Sequence, residues 1–317
     1  MQEEQNIQNN TQFPEWIPQK RGMSSLAQIA VLLAFTGAGL ILAAFAQLII
    51  IIIGVKNFSL FNIEAIMNDP KNIFVMQLGQ IVASVCLFVL PAFMFALVSK
   101  NKFSSYFRFT GKSSGKLWIM TIGLAFTGLL VSEGLSLLNE AIPLSHHLQT
   151  YFKGLEENYN NQMSTMVRLN NFSDYLMAIF VVALLPAICE ELFFRGALQQ
   201  IMVLWTRNAF WGIIITSAIF SAIHLSYYGF LSRFFLGIML GYVFYYGKNI
   251  RLSMLIHFLN NALAITFMYI QLHQQHKTMK EVVNSNSGVD FYYIIISAVV
   301  FVYLFLRFKK TSEQEIK

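Results

Sequence analysis

Two adjacent glutamates and an arginine interrupt the apolar stretch LLPAICEELFFRGALQQ at residues 184–200. A charge in such a setting is costly unless it is paired or functional. Glu191 and Arg195 are four residues apart, so on a helix they share a face and can form an ion pair. Glu190 lies about 100° around the helix from Glu191 and cannot easily share that arginine. One acid therefore has a local partner within the span, and the other does not.

Two simpler interpretations of this charged stretch remain open. Both glutamates could be satisfied by packing contacts alone. Alternatively, the apolar span could end at Cys189, which would leave the charges in water. The continuation LFFRGALQQIMVLW stays apolar beyond the arginine and weakens this second interpretation.

Three further polar residues lie in apolar surroundings: His224 in FSAIHLSYYG, and His257 and Asn261 in LIHFLNNAL. His257 and Asn261 are four residues apart and share a helix face, and Phe220 and His224 have the same spacing. A single histidine in a membrane span is weak evidence for a function. A group of polar side chains at one depth is stronger evidence.

The depths of these residues can be compared from the turns that join their spans. A turn near residues 205–209 is about midway between Glu190 and His224, so both stand roughly 25 Å along their helices from it. A second turn near Lys248–Asn249 places the histidine and asparagine of the next span roughly 13 and 19 Å from it. The four polar side chains are therefore predicted to converge within one bundle.

The elements that must position these residues are membrane spans. The 317 residues are 56% hydrophobic and only 12% charged, and the mean hydropathy is +0.55. A soluble protein has about 25% charged residues, and apolar runs of this length are typical of transmembrane helices. We therefore predict an all-α polytopic membrane protein with about eight transmembrane helices and an intramembrane polar cavity. The apolar runs lie near residues 27–53, 73–99, 117–138, 175–204, 210–227, 230–247, 252–272 and 291–306.

The chain divides into four parts along its length. Residues 1–26 form a cytoplasmic tail, and residues 27–174 hold three transmembrane helices and an outer loop that contains a short surface helix. Residues 175–272 are predicted to form a core of four helices. Residues 273–317 hold a second outer loop, the last transmembrane helix and a basic tail. In the sixth span, Gly237 and Gly241 are spaced to let another helix approach closely.

The distribution of basic residues predicts the orientation of the chain. With eight spans and the N-terminus inside, 14 of the 22 lysines and arginines lie on the inner side and 6 on the outer side. This bias favours a multi-pass integral membrane protein with both termini in the cytoplasm, and we expect a bacterial plasma membrane. The net charge of +6 thus reflects topology, and nothing in the sequence indicates nucleic-acid binding.

Three motifs resemble those of a known family. EELFFR matches E-E-x-x-x-R, FSAIH matches F-x-x-x-H, and HFLNN matches H-x-x-x-N. In this order and on an eight-span layout, residues 175–270 resemble the CPBP family. These are the CAAX proteases and bacteriocin-processing enzymes, also called Abi, and they include the type II CAAX prenyl endopeptidases. The resemblance implies an intramembrane protease that hydrolyses a peptide bond of a membrane-associated protein or peptide.

The resemblance also implies roles for individual residues. Glu190 would be the general base, His224 would help it to activate a water, and His257 and Asn261 would stabilise the oxyanion. Since H-E-x-x-H is absent, we expect no cofactor. Zinc remains the alternative, held by Glu190, His224 and His257. The resemblance also implies supporting positions at Glu191, Arg195 and Phe220.

Two other functions could use the same buried polar residues. A proton-coupled transporter would employ them as a relay, but it would be expected to show paired broken helices in two related halves, and no such repeat is visible. A catalytically silent scaffold would keep them for stability and should tolerate loss of Glu190. The expected partners are a membrane-associated protein or peptide substrate and the lipid bilayer.

Overall fold

The computed structural model describes residues 23–56, 58–59, 61, 63–99, 102–275, 277, 281–282 and 290–315. Most of the predicted tail over 1–26 and most of the predicted loop over 273–290 lie outside these residues. Within the described ranges the chain is helical and contains no strand. The longer helices are α1 (Ser25–Gly54), α2 (Ile73–Val98), α3 (Gly115–Glu140), α4 (His146–Met166), α5 (Phe172–Thr206), α6 (Ala209–Ala222), α7 (Phe230–Gly247), α8 (Ile250–Gln274) and α9 (Phe291–Glu315).

The lengths and compositions of these helices fit a membrane protein. In the described part of the chain, seven of them are long and apolar enough to cross a bilayer, and α6 is a shorter apolar helix. Large apolar side chains stay exposed along the outermost helices, for example Leu33 and Ile53 on α1 and Val299 on α9. The prediction of an all-α polytopic membrane protein with about eight transmembrane helices is confirmed. The predicted short helix within residues 139–174 is α4.

The fifth span ends earlier than the hydropathy indicates. It was predicted over 210–227, but α6 ends at Ala222. Two residues after Ile223, which caps the helix, Leu225 has a left-handed backbone with φ of 51°. A left-handed residue cannot continue a right-handed helix, so the chain leaves the helix here although its composition remains apolar. Residues 223–229 form a linker, called the His224 linker below, between α6 and α7.

The two predicted turns within the core are confirmed and share one construction. Arg207 and Lys248 follow the ends of α5 and α7 with left-handed φ values of 53° and 46°. Each is followed by an asparagine whose side-chain oxygen accepts from the first turn of the next helix. Asn208 accepts from the Phe210 backbone N–H at 2.9 Å, and Asn249 caps α8 in the same way. A left-handed residue that stops one helix and an asparagine that starts the next allow a tight reversal.

The helix α5 carries the charged motif and is not a regular α-helix. It contains two π-helical segments, Ile179–Leu184 and Phe194–Leu198, on either side of the α-helical segment Leu185–Phe193. Such segments are often found at functional sites because they shift the direction of the side chains that follow. Pro186 stands at the start of the middle segment and has no N–H to offer the Val182 carbonyl four residues earlier.

The glycines of α7 allow this helix to pack tightly against its neighbours. A Cβ on Gly237 would lie 2.9 Å from the Ser217 Cβ of α6, and a Cβ on Gly241 would lie 2.7 Å from the Ile213 Cγ2. The predicted close approach is therefore confirmed. The exposed glycine backbones also accept hydrogen bonds from α5, because Gln199 Nε2 donates to the Gly241 carbonyl at 3.0 Å.

Candidate active site

The predicted ion pair within α5 is confirmed. Arg195 Nη1 lies 2.9 Å from Glu191 Oε1, and both side chains are fully buried. Arg195 Nη2 donates to the Gly237 carbonyl of α7 at 3.1 Å, and the guanidinium carbon lies 4.9 Å from the centre of the Phe220 ring of α6. The pair thus connects three helices of the core.

Glu191 has a second partner that the spacing within α5 could not indicate. Its Oε1 also accepts from His257 Nδ1 of α8 at 3.0 Å. The spacing predicted only the contact with Arg195. The structure shows that Glu191 also holds one of the clustered histidines in place.

Glu190 differs from its neighbour in its surroundings. Its Oε2 lies 3.9 Å from His257 Nε2, which is too long for a direct hydrogen bond. The same oxygen is buried and has no hydrogen-bond partner. The Glu190 side chain keeps 13% of its surface exposed, whereas that of Glu191 keeps none. Glu191 Oε2 is also buried without a partner, but Glu191 Oε1 is held by both Arg195 and His257. Glu190 is the more exposed of the two, and its Oε2 faces His257 Nε2, so its carboxylate is the one available for chemistry.

The hydrogen bonds fix the tautomers of both histidines. His257 Nδ1 bonds a carboxylate, and His224 Nδ1 bonds the Phe220 carbonyl at 2.9 Å. Both partners can only accept, so in the neutral rings the hydrogen is assigned to Nδ1 and the lone pair to Nε2. The lone pair of His257 faces Glu190.

His224 lies in the linker just after α6 and shares an aromatic neighbour, Phe220, with His257. The Phe220 ring centre is 5.2 Å from the His224 ring centre and 5.8 Å from that of His257. No direct hydrogen bond or ion pair joins the described side chains of His224 and Glu190. The structure thus brings Glu190 to His257, and both histidines contact the Phe220 ring.

Asn261 anchors α8 against the π-helical part of α5. Its Nδ2 donates to the Val182 carbonyl at 3.2 Å, the carbonyl that Pro186 leaves without an N–H at the usual spacing. Its Oδ1 accepts from Asn260 Nδ2 at 3.2 Å. One N–H of the Asn261 amide remains for a further acceptor.

Arg233 is a candidate functional residue that the sequence did not single out. A basic residue at the start of a membrane span ordinarily extends toward the surface, but Arg233 is half-buried. Its guanidinium carbon lies 4.9 Å from the centre of the Tyr159 ring of α4, and its Nη1 is buried without a hydrogen-bond partner. Its charge acts on both Glu190 and His224. A basic residue at the first turn of a span gave no signal that distinguishes this role from snorkelling.

The cluster also contains glutamate and histidine side chains, which are residue types that can bind a metal ion. Within the described residues, no three histidine, cysteine, aspartate or glutamate side chains are arranged to hold a metal ion. His257 Nδ1 is engaged by Glu191 and its Nε2 faces Glu190, while the His224 ring centre lies 5.2 Å from that of Phe220. Zinc held by Glu190, His224 and His257 stays an alternative prediction.

Fold and site together define a polytopic α-helical membrane protein with a buried glutamate–histidine cluster in its core. Residues 172–263 of this chain match the family described as "Type II CAAX prenyl endopeptidase Rce1-like". The resemblance predicted from the motifs is thereby confirmed, and at the level of the family the match supports a protease of membrane proteins. The matched segment includes Glu190, His224, His257 and Asn261. Searches of curated proteins and of solved structures found no significant match.

Proposed function

We propose that the protein is an intramembrane endopeptidase in which Glu190 activates a water to hydrolyse a peptide bond of a membrane-associated protein or peptide. The observation that carries this proposal is the buried, unpartnered Glu190 Oε2 facing His257 Nε2 at 3.9 Å. A separation of this size between two polar atoms suits a bridging water. The family match supports the same reaction class.

The two acceptors would orient the attacking water. Glu190 Oε2 and the lone pair of His257 Nε2 can each accept one hydrogen from it, so the oxygen lone pairs of the water turn away from both and toward a substrate carbonyl. Glu190 then takes the proton as the oxygen attacks the carbonyl carbon, and later passes it to the leaving nitrogen. General base catalysis of this kind contributes about 10²–10⁴-fold to the rate.

Other residues would stabilise the charge that develops on the substrate oxygen. The remaining N–H of Asn261 is a donor for this oxyanion, and the positive charge of Arg233 acts on the same region. His224 is proposed to assist the proton transfer. Glu191 and Arg195 hold His257 in the required orientation.

The proposal can be tested in cells that express the chain as wild type, as Glu190→Gln, or as Glu157→Gln. Glu157 is an exposed residue of α4, so its variant makes the same chemical change away from the site. Mass spectrometry of new peptide termini in membrane and secreted fractions should show products that disappear with Glu190→Gln and persist with Glu157→Gln. Identical peptide profiles for wild type and Glu190→Gln would contradict the proposal and favour a scaffold or a carrier.

A further inference from the structure

A cavity of about 940 Å³ lies between α3 and α8, at the end of the bundle where α4 packs. One wall is formed by residues 126–140 of α3 and the other by residues 263–271 of α8. Glu156 and Asn160 of α4, together with Tyr228 of the His224 linker, close one side. None of the four proposed catalytic residues lines this cavity, so it is separate from the site described above.

The cavity nevertheless continues from the catalytic face of α8. Ala264 is seven residues, and Gln271 fourteen residues, beyond His257, so all three lie on about the same face of the helix. The rise along α8 is then about 10 Å to Ala264 and about 21 Å to Gln271. An extended peptide advances about 3.3 Å per residue, so the cavity lies about three to six residues from a bond held at Glu190.

The charged groups of the cavity wall are all negative. Glu133, Glu140 and Glu156 contribute carboxylates, and among the described lining residues there is no lysine, arginine or histidine. Gln271 is 95% buried, since its exposure is 5%, and its Oε1 has no hydrogen-bond partner. A buried acceptor without a donor is costly, so this oxygen indicates a ligand that supplies an N–H.

Two further observations indicate that the Glu140 and Glu156 carboxylates serve one region of the cavity wall. Glu140 is the last residue of α3, where the helix dipole disfavours a negative charge, so helix stability does not account for it. The pKa of the Tyr228 phenol is raised above its ordinary value, first by burial and then by Glu156, Tyr227 and Glu140. The Glu156 and Glu140 charges therefore act on one point of the cavity wall.

The cavity is also tied to the catalytic region through α4. Glu156 Oε2 accepts from Ser226 Oγ at 2.8 Å, and the Phe152 and Tyr227 rings stack with centres 4.4 Å apart. Both contacts hold the linker that begins beside His224. A segment bound in the cavity would thus lie against the same linker that borders the catalytic cluster.

We infer that this cavity is a specificity subsite that binds an apolar peptide segment carrying a lysine or arginine about three to six residues from the scissile bond. The apolar walls accept the body of the segment, and the carboxylates and Gln271 bind its cationic group. The inference rests on the proposed endopeptidase function, because it assigns the cavity to the substrate of that reaction.

The test uses the full-length Glu190→Gln protein in lipid nanodiscs, so that binding is measured without hydrolysis. The probes are two fluorescent leucine–alanine nonapeptides with blocked ends that differ only in a central lysine or norleucine. Fluorescence anisotropy should show about tenfold tighter binding of the lysine peptide, the effect of one charge-assisted interaction. Glu140→Gln and Gln271→Leu, each added to this background, should reduce the preference severalfold, and Glu157→Gln should leave it unchanged.

Equal affinity for the two peptides, or a lysine preference that survives both cavity substitutions, would overturn the inference. Failure of the subsite inference can be distinguished from failure of the proposed endopeptidase function. Hydrolysis by the wild-type protein without any lysine preference contradicts the subsite alone. A lysine preference that depends on Glu140 and Gln271, in a protein that cleaves no peptide, supports the cavity and contradicts the endopeptidase.

Discussion

Replacing Glu191 by glutamine is expected to destabilise the protein, whereas the same replacement of Glu190 is expected to leave it folded and stable. Glu191 Oε1 accepts from Arg195 at 2.9 Å and from His257 at 3.0 Å, and the arginine is fully buried. Without the carboxylate charge, the guanidinium keeps only neutral partners such as the Gly237 carbonyl. Breaking a buried pair in this way costs about 3–5 kcal/mol.

Glu190 has no comparable network, because its nearest polar contact in the cluster is the His257 nitrogen at 3.9 Å. At roughly 2–3 °C per kcal/mol for a chain of this size, Glu191→Gln should lower the apparent melting temperature by about 5–15 °C. Glu190→Gln should change it by less than about 2 °C. Thermal unfolding of the purified variants, followed by intrinsic fluorescence in one detergent, measures both values.

A double-mutant cycle provides the control for this argument. Because Arg195→Met removes the unpaired charge, the double variant Glu191→Gln with Arg195→Met should lose less stability than the sum of the two single variants. The reasoning is refuted if Glu191→Gln melts within 2 °C of wild type while Glu190→Gln is the destabilised variant. Strict additivity in the cycle would also refute it, since the pair would then carry no coupling.

Three further predictions concern the oxyanion, the topology and the helix packing. Asn261→Ala should slow the chemical step by about 10²–10³-fold in single-turnover kinetics, and an unchanged rate would remove the residue from the mechanism. In thermal unfolding it should also cost about 1–3 kcal/mol of stability, because the Val182 carbonyl loses its donor. In a chain without its native cysteines, an impermeant thiol reagent should label Lys153→Cys and spare Lys112→Cys in intact cells, and the reverse pattern would invert the orientation. Gly237→Ala should cost about 1–3 kcal/mol of unfolding free energy through overpacking. Gly154→Ala, with no atom near its new methyl group, should stabilise by about 0.5–1 kcal/mol, and equal effects of the two would contradict the packing argument.

The features that follow from local rules could be predicted from the sequence. The ion pair of Glu191 and Arg195 depends on a spacing of four residues within one helix, and it forms although Arg195 lies in a π-helical segment. The turns at Arg207 and Lys248 were located because polar residues interrupt the apolar pattern there. The helical spans themselves follow from runs of apolar residues that match the thickness of a bilayer.

Contacts between helices could not be predicted, because they depend on how each helix is rotated about its axis. The comparison of depths grouped Glu190 with His224. In the structure the histidine near Glu190 is instead His257, whose Nε2 lies 3.9 Å from Glu190 Oε2. Two π-helical segments in α5 change the direction of its side chains, and hydropathy carries no signal for them. The end of α6 was missed for a related reason, since the left-handed Leu225 lies within an apolar run.

The most direct test of the central claim is the cleavage rate of one identified substrate peptide by purified wild-type, Glu190→Gln and Glu157→Gln proteins in lipid nanodiscs. Mass spectrometry of the products under single-turnover conditions separates the chemical step from product release. Glu190→Gln is expected to slow cleavage by at least about 10²-fold while keeping the melting temperature of the wild type. Glu157→Gln is expected to cleave at the wild-type rate. A folded Glu190→Gln protein that cleaves at the wild-type rate would contradict the assignment of Glu190 as the base.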